Sequence, residues 1–526
     1  MYIYGKNYII YTVMKGNVYS MNSKTYIVVV LGIVLAKLVG FSRDIFFANF
    51  YGTGTLADIY FQIFSIVNLI FTGIGVALQT RVIMNLNKEE NSTEERKKAY
   101  VSSFLKRAVL YLSIATLALY VLAKPLTRIL LPNISGDDFS LALRLTCIML
   151  PSFIFVSVAY IISGILQNSR VFFIPSIVSL PYNIIIIASL FIPGVTIEQI
   201  GIATTFGWFL HIVIQLPHFY KKGYRFLYRT EKREKSNTSS AGLKNTLSIA
   251  FIFISNLMFQ LCFIIDKASV SGNEGMTSAL NYASNLFVTI SSVFVVAMSS
   301  VVFPAISKNY EEGKIEYVRE LIGYIIIVMF AVFVPFLLVV SLFGEQIIAL
   351  VYERGAFTSE STVMTALAFT VYSLGILGYL AQELINKVMY LASKYAFTVI
   401  GTAVVVILKF ILDYLFVPEL GAGFAAVSTT VLLTVYAIAA FIMLKKIIGN
   451  YISKSVITGV AKVLICGAAA LAVYFIMRIF VPDIVRTKEI AFVIPIVICG
   501  ITYIGTAFVL GLHKVLLRGA GHKSAQ

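Results

Sequence analysis

The chain has 526 residues, 59% of them hydrophobic and only 13% charged, with a mean hydropathy of +0.89. A soluble protein carries about a quarter charged residues, and no water-soluble core of this length hides so much apolar side chain, so a cytosolic enzyme is excluded first. The net charge of +17 would point to nucleic acid in a soluble chain. In a membrane protein it points to basic cytoplasmic loops, and no nucleic-acid partner is expected.

In chain order, residues 1–24 hold polar and basic positions without a long apolar run and read as a disordered leader. No small-residue cleavage site follows, and Met21 opens a cleaner start. A spanning helix needs about 20 apolar residues, and about fourteen candidate spans follow. The first six lie near 25–42, 59–83, 101–122, 141–166, 171–193 and 198–219. A charged, Ser/Asn-rich linker occupies 220–245. Eight more spans lie near 246–270, 277–306, 318–343, 361–391, 395–417, 421–444, 455–479 and 489–512. Alternate connections are basic: about 26 Lys and Arg fall on one side and about 7 on the other, which places both termini in the cytoplasm.

The linker separates six spans from eight, and an internal repeat supports the division. Phe191-Ile192-Pro193 precedes Thr204-Thr205, and Phe416-Val417-Pro418 precedes Thr429-Thr430 at the same distance, an offset of 225 residues. Each copy runs on to a Lys-Lys pair, Lys221-Lys222 and Lys445-Lys446. The fold expected is an all-α polytopic membrane protein. An N-lobe at 25–219 and a C-lobe at 246–447 form pseudo-symmetric six-helix halves, and 448–526 adds two helices and a cytoplasmic tail. Two facing halves of this kind are a transporter pattern with the substrate site between them.

The four cysteines, Cys147, Cys262, Cys466 and Cys499, sit in apolar runs without a CxxC or a nearby His, as buried small hydrophobes do. No phosphate loop, HExxH or GxSxG occurs. Neither enzymatic chemistry nor a metal or cofactor is expected.

A charge at the bilayer centre costs about 2.5–3.5 kcal/mol on insertion scales, so such residues face a cavity or a partner. The first two spans carry Lys37, Arg43, Asp58 and Arg81. Lys37 and Arg43 flank Gly40, and on an unbroken helix six residues turn them about 120° apart, so convergence requires a bend or a wide cavity. They read either as a cationic wall for an anionic headgroup, or as a snorkelling lysine and an arginine paired with Asp44 or Asp58. Lys409 and Asp413 are four apart and share a helix face, as do Glu383 and Lys387, while Asp266 and Lys267 adjoin near the end of span seven. A lone Asp could take Na⁺ or a proton; a Lys one turn away supplies a built-in countercharge, or a structural ion pair that locks helices.

Several stretches resemble the MurJ/MviN family of lipid II flippases, within the multidrug/oligosaccharidyl-lipid/polysaccharide exporter superfamily. They are LVGFSRDIFFANFYGTGTLADIYF at 38–61, SALNYASNL at 278–286, VVFPAISK at 301–308 and YERGAFTSEST at 352–362. The resemblance runs from about 25 to 512 and implies fourteen helices, two lobes around a cationic cavity, and alternating access. Lipid-linked peptidoglycan precursor would cross, its polyprenyl tail held in lipid near the last two spans.

By the same resemblance Arg43 is the arginine of a Gly-Phe-x-Arg-Asp motif, Lys37 stands where another arginine is common, and Asp58 is the acidic residue of span two. Asn285 replaces a central arginine, and the basic pair expected after Asn68 is missing, with Arg81 about three turns further on. The substrate-binding set expected is thus Lys37, Arg43, Asp58, Arg81 and Asn285. Some family members bind Na⁺ at positions matched by Asp266, Asp413, Val417 and Thr429, but Lys409 replaces an Asn there, so an internal ammonium is expected in place of sodium.

The function expected is a flippase for a polyprenyl-pyrophosphate-linked cell-wall precursor, lipid II first, in the bacterial cytoplasmic membrane. Membrane lipids and envelope-synthesis enzymes are the partners. Another lipid-linked oligosaccharide, a cation-coupled multidrug antiporter and a silent scaffold are the alternatives.

Overall fold

A computed structural model describes residues 8–10, 19–21, 23–88, 93–226, 260–298, 302–392, 394–480 and 492–514. The chain divides into two compact units, Met1–Asn281 and Tyr282–Gln526. Most of the expected 220–245 linker lies outside the described residues, as does the first half of the seventh span.

Helices dominate both units because long apolar runs, with few internal breaks, satisfy every backbone group within the segment. In the first unit a short antiparallel strand pair, β1 (Tyr8–Ile10) and β2 (Tyr19–Met21), precedes α1 (Ser23–Tyr51). Gly52, at φ +55°, ends α1. α2 (Thr55–Ile66) then runs through a π turn at Val67–Phe71 into α3 (Thr72–Lys88). Thr72 Oγ1 reaches back to the Val67 carbonyl at 3.4 Å, and a wide turn of this kind is common at functional sites.

α4 (Glu94–Val121) starts on a Thr93 cap with Glu94 and Glu95 in its first turn, where acidic side chains suit the helix dipole. α5 (Ala123–Leu130), α6 (Gly136–Met149), α7 (Ser152–Asn168), α8 (Phe173–Ser176) and α9 (Leu180–Leu190) follow. α10 (Ile197–Val213) opens on a reciprocal Thr196/Gln199 capping box, and α11 (Leu216–Lys221) closes the run. α3 lies tightly on α7 because two glycines permit it. A Cβ at Gly75 would fall 2.9 Å from the Tyr160 ring, and one at Gly164 the same distance from Gln79. Helical residues 260–269, here α12, complete the unit with the first turns of α13 (Met276–Ala297).

The second unit continues through α14 (Phe303–Glu311) and α15 (Ile315–Tyr352). α15 contains Pro335 and, separately, departs from helical geometry at Phe343. α16 (Ser359–Leu374) and α17 (Ile376–Leu391) meet at 45° across Gly375. α18 (Tyr395–Leu420), α19 (Gly423–Ile448), α20 (Lys454–Phe480) and α21 (Val493–Val509) follow. Phe343, Tyr474 and Phe492 pack α15, α20 and α21 together.

Among the described residues nine helices are long and apolar enough to cross a membrane, and the bent α16–α17 pair makes a tenth. α1, α2–α3 and α21 cover three more expected spans. Apart from the short β1–β2 pair ahead of α1, the protein is an all-α polytopic membrane protein. Its four cysteines are free thiols.

The sequence repeat has a structural counterpart within each unit. Thr205 on α10 donates to the Ile148 carbonyl of α6 at 2.9 Å, and Thr430 on α19 donates to the Val371 carbonyl of α16 at 2.8 Å. In each case the second threonine of the pair ties its helix to one lying four or three helices earlier.

Candidate functional site

The first cluster is built around Arg43. α1 continues unbroken past Gly40 and turns residue 43 toward α2 and α9. Asp44 Oδ1 accepts from Arg43 Nε at 3.0 Å and from Nη2 at 2.7 Å. Arg43 Nη1 donates to Asn183 Oδ1 at 3.2 Å and to Tyr182 Oη at 3.4 Å. The guanidinium also lies 5.2 Å from the Phe64 ring centroid and 5.7 Å from that of Tyr182, within cation–π range.

These four bonds use four of the five N–H groups, leaving one on Nη2 without a partner among the described residues. The Arg43 side chain is 12% exposed and that of Asp44 6%. The cradle is itself braced. Asn183 Nδ2 donates to Ser179 O at 2.9 Å, aiming its Oδ1 at the arginine. Trp208 and His211 pack against the Tyr182 ring with centroids at 4.8 and 5.6 Å.

Lys37 and Arg81 stand apart from this cluster. Lys37 is exposed on α1 with no hydrogen-bond partner among the described residues, and Arg81 is exposed on α3. Without a bend at Gly40, Lys37 and Arg43 face different directions, as the six-residue spacing on a straight helix requires.

Asp58 has a different setting. Its Oδ2 accepts from the Gly275 amide at 2.7 Å and its Oδ1 from the Ser278 amide at 2.6 Å. The carboxylate therefore caps the start of α13, where backbone N–H groups have no helical partner and the dipole is positive. Seven residues along the same face of α2, Ser65 accepts from Lys267 Nζ, which also donates to Asn281 Oδ1 at 3.2 Å. Between them Gln62 Nε2 holds the Leu130 carbonyl at 2.8 Å. α2 is thus pinned to the 260–281 hairpin by one anionic and one cationic clasp. Asp58→Ala is expected to cost about 1–2 kcal/mol, as loss of a helix cap does, read as a lower unfolding temperature in detergent. Asp58→Asn, which keeps one acceptor, should lose less. If both variants unfold like the parent, the cap has no energetic role.

In the second unit, Lys409 and Asp413 face α19 from one stripe of α18, and both are almost fully buried. Lys409 Nζ donates to Asp413 Oδ2 at 2.5 Å, Ser428 Oγ at 2.6 Å and the Ala425 carbonyl at 2.9 Å. Ser428 Oγ also lies 2.7 Å from Asp413 Oδ1. An ammonium inside three oxygens is a satisfied buried charge. Val417 and Thr429 are buried on the same two helices. Asp266 is buried in the first unit, where its carbonyl accepts from Ser269. Asn285 is half-buried on α13. Glu383 and Lys387 form the expected same-face pair on α17 at 3.7 Å. Among the described residues no group of three or more His, Cys, Asp or Glu is placed to hold a metal.

Sequence reasoning found the charges but missed their neutral partners. Tyr182, Asn183, Ser65 and Ser428 are all polar residues in apolar helices, and only the spacing of Ser65 from Asp58 on one face offered a signal.

Helical units joined in one polytopic chain, each with buried charge clusters served by internal partners, define a polytopic membrane protein with charges inside its helical units. Solved structures share the fold. A "multidrug resistance MATE family transporter of the MOP superfamily" in an inward-facing conformation aligns with TM-score 0.63 at 13% identity, over 81% of this chain and 98% of that one. A structure described as "Lipid II flippase MurJ, inward closed conformation" aligns with TM-score 0.76 at 21% identity, over 92% and 98%.

The sequence profile described as "Lipid II flippase MurJ" matches residues 47–493. The chain belongs to that family. Relatives include the "Lipid II flippase MurJ" of Burkholderia cenocepacia, 24% identical over 431 residues covering 78% of this chain and 82% of the relative. The "Probable lipid II flippase MurJ" of Buchnera aphidicola subsp. Baizongia pistaciae is 25% identical over 370 residues, covering 68% and 70%.

Proposed function

We propose that this protein carries a polyprenyl-pyrophosphate-linked cell-wall precursor across the bacterial cytoplasmic membrane by alternating access. Lipid II is the first substrate and another lipid-linked oligosaccharide the second. Both termini are cytoplasmic, in keeping with the basic side of the loops. Residues 25–219 and 246–447 act as the two lobes, with 448–526 beside them. Membrane lipids and envelope-synthesis enzymes are its partners, and it is a transporter, not a catalyst.

The observation that carries this reading is the family match over residues 47–493; just ahead of it, Arg43 sits in a polar cradle inside an apolar helical unit. Arg43 meets the diphosphate with the fork geometry that guanidinium offers to phosphate, and Lys37, exposed on another face of α1, is a further cationic candidate along the headgroup's route. Arg81 and Asn285 are further candidates along the headgroup's route. Asp58 acts on the same process through the helix it caps.

The test is depletion of the protein followed by identification of the lipid-linked intermediate that accumulates on the inner leaflet. Accumulation of lipid II supports the first substrate, and of another polyprenyl-linked glycan the second. No accumulated lipid, with a normal cell wall, would remove the transport reading. A likeness to the MATE fold favours drug antiport as the competing reading; an efflux assay decides it, since an antiporter for cationic drugs raises resistance when expressed.

A further inference from the structure

Arg43 is already occupied. Its neighbour Asp44 takes the Nε and Nη2 bonds on a single oxygen, while Tyr182 and Asn183 take Nη1. We infer that Asp44 is a specificity-determining residue: a tethered counter-ion on Arg43 that ordinary phosphodiester lipids do not displace and a diphosphate-linked lipid does. This rests on the reading above that Arg43 meets the headgroup.

The argument is a competition between anions for one guanidinium. Asp44 is the adjacent residue, so its carboxylate competes at a high effective concentration and pays no association entropy. A phosphodiester headgroup brings the same single charge and must pay that entropy, so it loses. A diphosphate diester brings two adjacent charges. One phosphate engages the remaining Nη2 N–H, and the second then replaces the carboxylate on Nε and Nη2, keeping charge-assisted bonds throughout. Tyr182 and Asn183 hold Nη1 during the exchange, so the fork stays aimed. A membrane whose anionic lipids are mostly phosphodiesters presents a large excess of the wrong headgroup, and an unguarded arginine would collect it.

The experiment uses the full chain in nanodiscs of zwitterionic lipid, with undecaprenyl diphosphate and phosphatidylglycerol as probes and retained lipid counted by native mass spectrometry. The parent should favour the diphosphate, and Asp44→Asn should reduce that preference at least about tenfold, chiefly by taking up phosphatidylglycerol. Tyr182→Phe and Asn183→Ala, which keep the carboxylate, should leave the preference unchanged while weakening both lipids together.

An unaltered preference in Asp44→Asn, or an equal loss of preference in Tyr182→Phe, overturns the role of Asp44. Should Asp44→Asn fail to fold, the parent alone decides. A large excess of phosphatidylglycerol should not compete with bound diphosphate, and competition there overturns the proposal. A parent that retains no undecaprenyl diphosphate, and is matched in this by Arg43→Ala, fails the transport reading itself.

Discussion

Arg43→Ala is expected to abolish rescue of a flippase-depleted strain while the protein still reaches the membrane. The arginine is asked to supply at least two charge-assisted bonds to a diphosphate, and their loss weakens headgroup binding at least about hundredfold. The same change takes the Arg43 bonds away from the buried Asp44 carboxylate, so membrane abundance has to be measured beside growth. Arg43→Lys separates the two effects. It keeps a positive charge near Asp44 but loses the planar fork, so it should restore abundance more than transport. Full growth of the Arg43→Ala strain would remove Arg43 from the mechanism.

The second large effect is expected at Lys409. Removing one member of a buried ion pair strands the other, at a cost of about 3–5 kcal/mol. Lys409→Ala should therefore lower the unfolding temperature strongly. The oxygens of Asp413, Ser428 and Ala425 that now surround the ammonium would then form a vacated cage of one charge and three ligands. Added Na⁺ should stabilise Lys409→Ala and leave the parent unchanged. The double variant Lys409→Met, Asp413→Leu removes both charges together and should recover most of the lost stability without sodium. Sodium-dependent stabilisation of the parent, abolished by Asp413→Ala, would show that the tethered ammonium does not replace the ion.

What the sequence disclosed about these clusters depended on distance along the chain. Lys409 and Asp413 are one turn apart, so helix periodicity alone put them on one face. Arg43 and Asp44 are neighbours, and their pairing was one of the two readings open from the start. Tyr182 and Asn183 lie about 140 residues away from Arg43, and nothing in an Ile-rich helix announces which neutral side chain will meet a distant charge.

Asp58 shows the same limit from another side. A carboxylate in a span is legible as costly, but whether it serves a substrate or a helix end is decided by which backbone N–H groups arrive beside it. Here the Gly275 and Ser278 amides arrive from more than 200 residues on. Lys37 and Arg43 fail to converge because glycine permits a helix to bend without compelling it, and α1 runs unbroken through Gly40.

The helix architecture was legible because apolar length is a strong signal for a membrane span. Its interruptions were less so. Pro335 suggests a break in α15 at the turn before it, but the departure from helical geometry falls at Phe343, two turns later. The π turn of the second span has no Pro and sits in an unremarkable Val-Asn-Leu-Ile-Phe run.

That π turn has a mechanical consequence. It joins a rod clasped to the 260–281 hairpin through Asp58 and Ser65 to a rod seated on α7 through Gly75 and Gly164. A widened turn stores one surplus amino acid. Tightening it into ordinary helix slides one rod by about 1.5 Å and swivels it about 100° relative to the other. A tightening of the splice would therefore be felt at both anchorages.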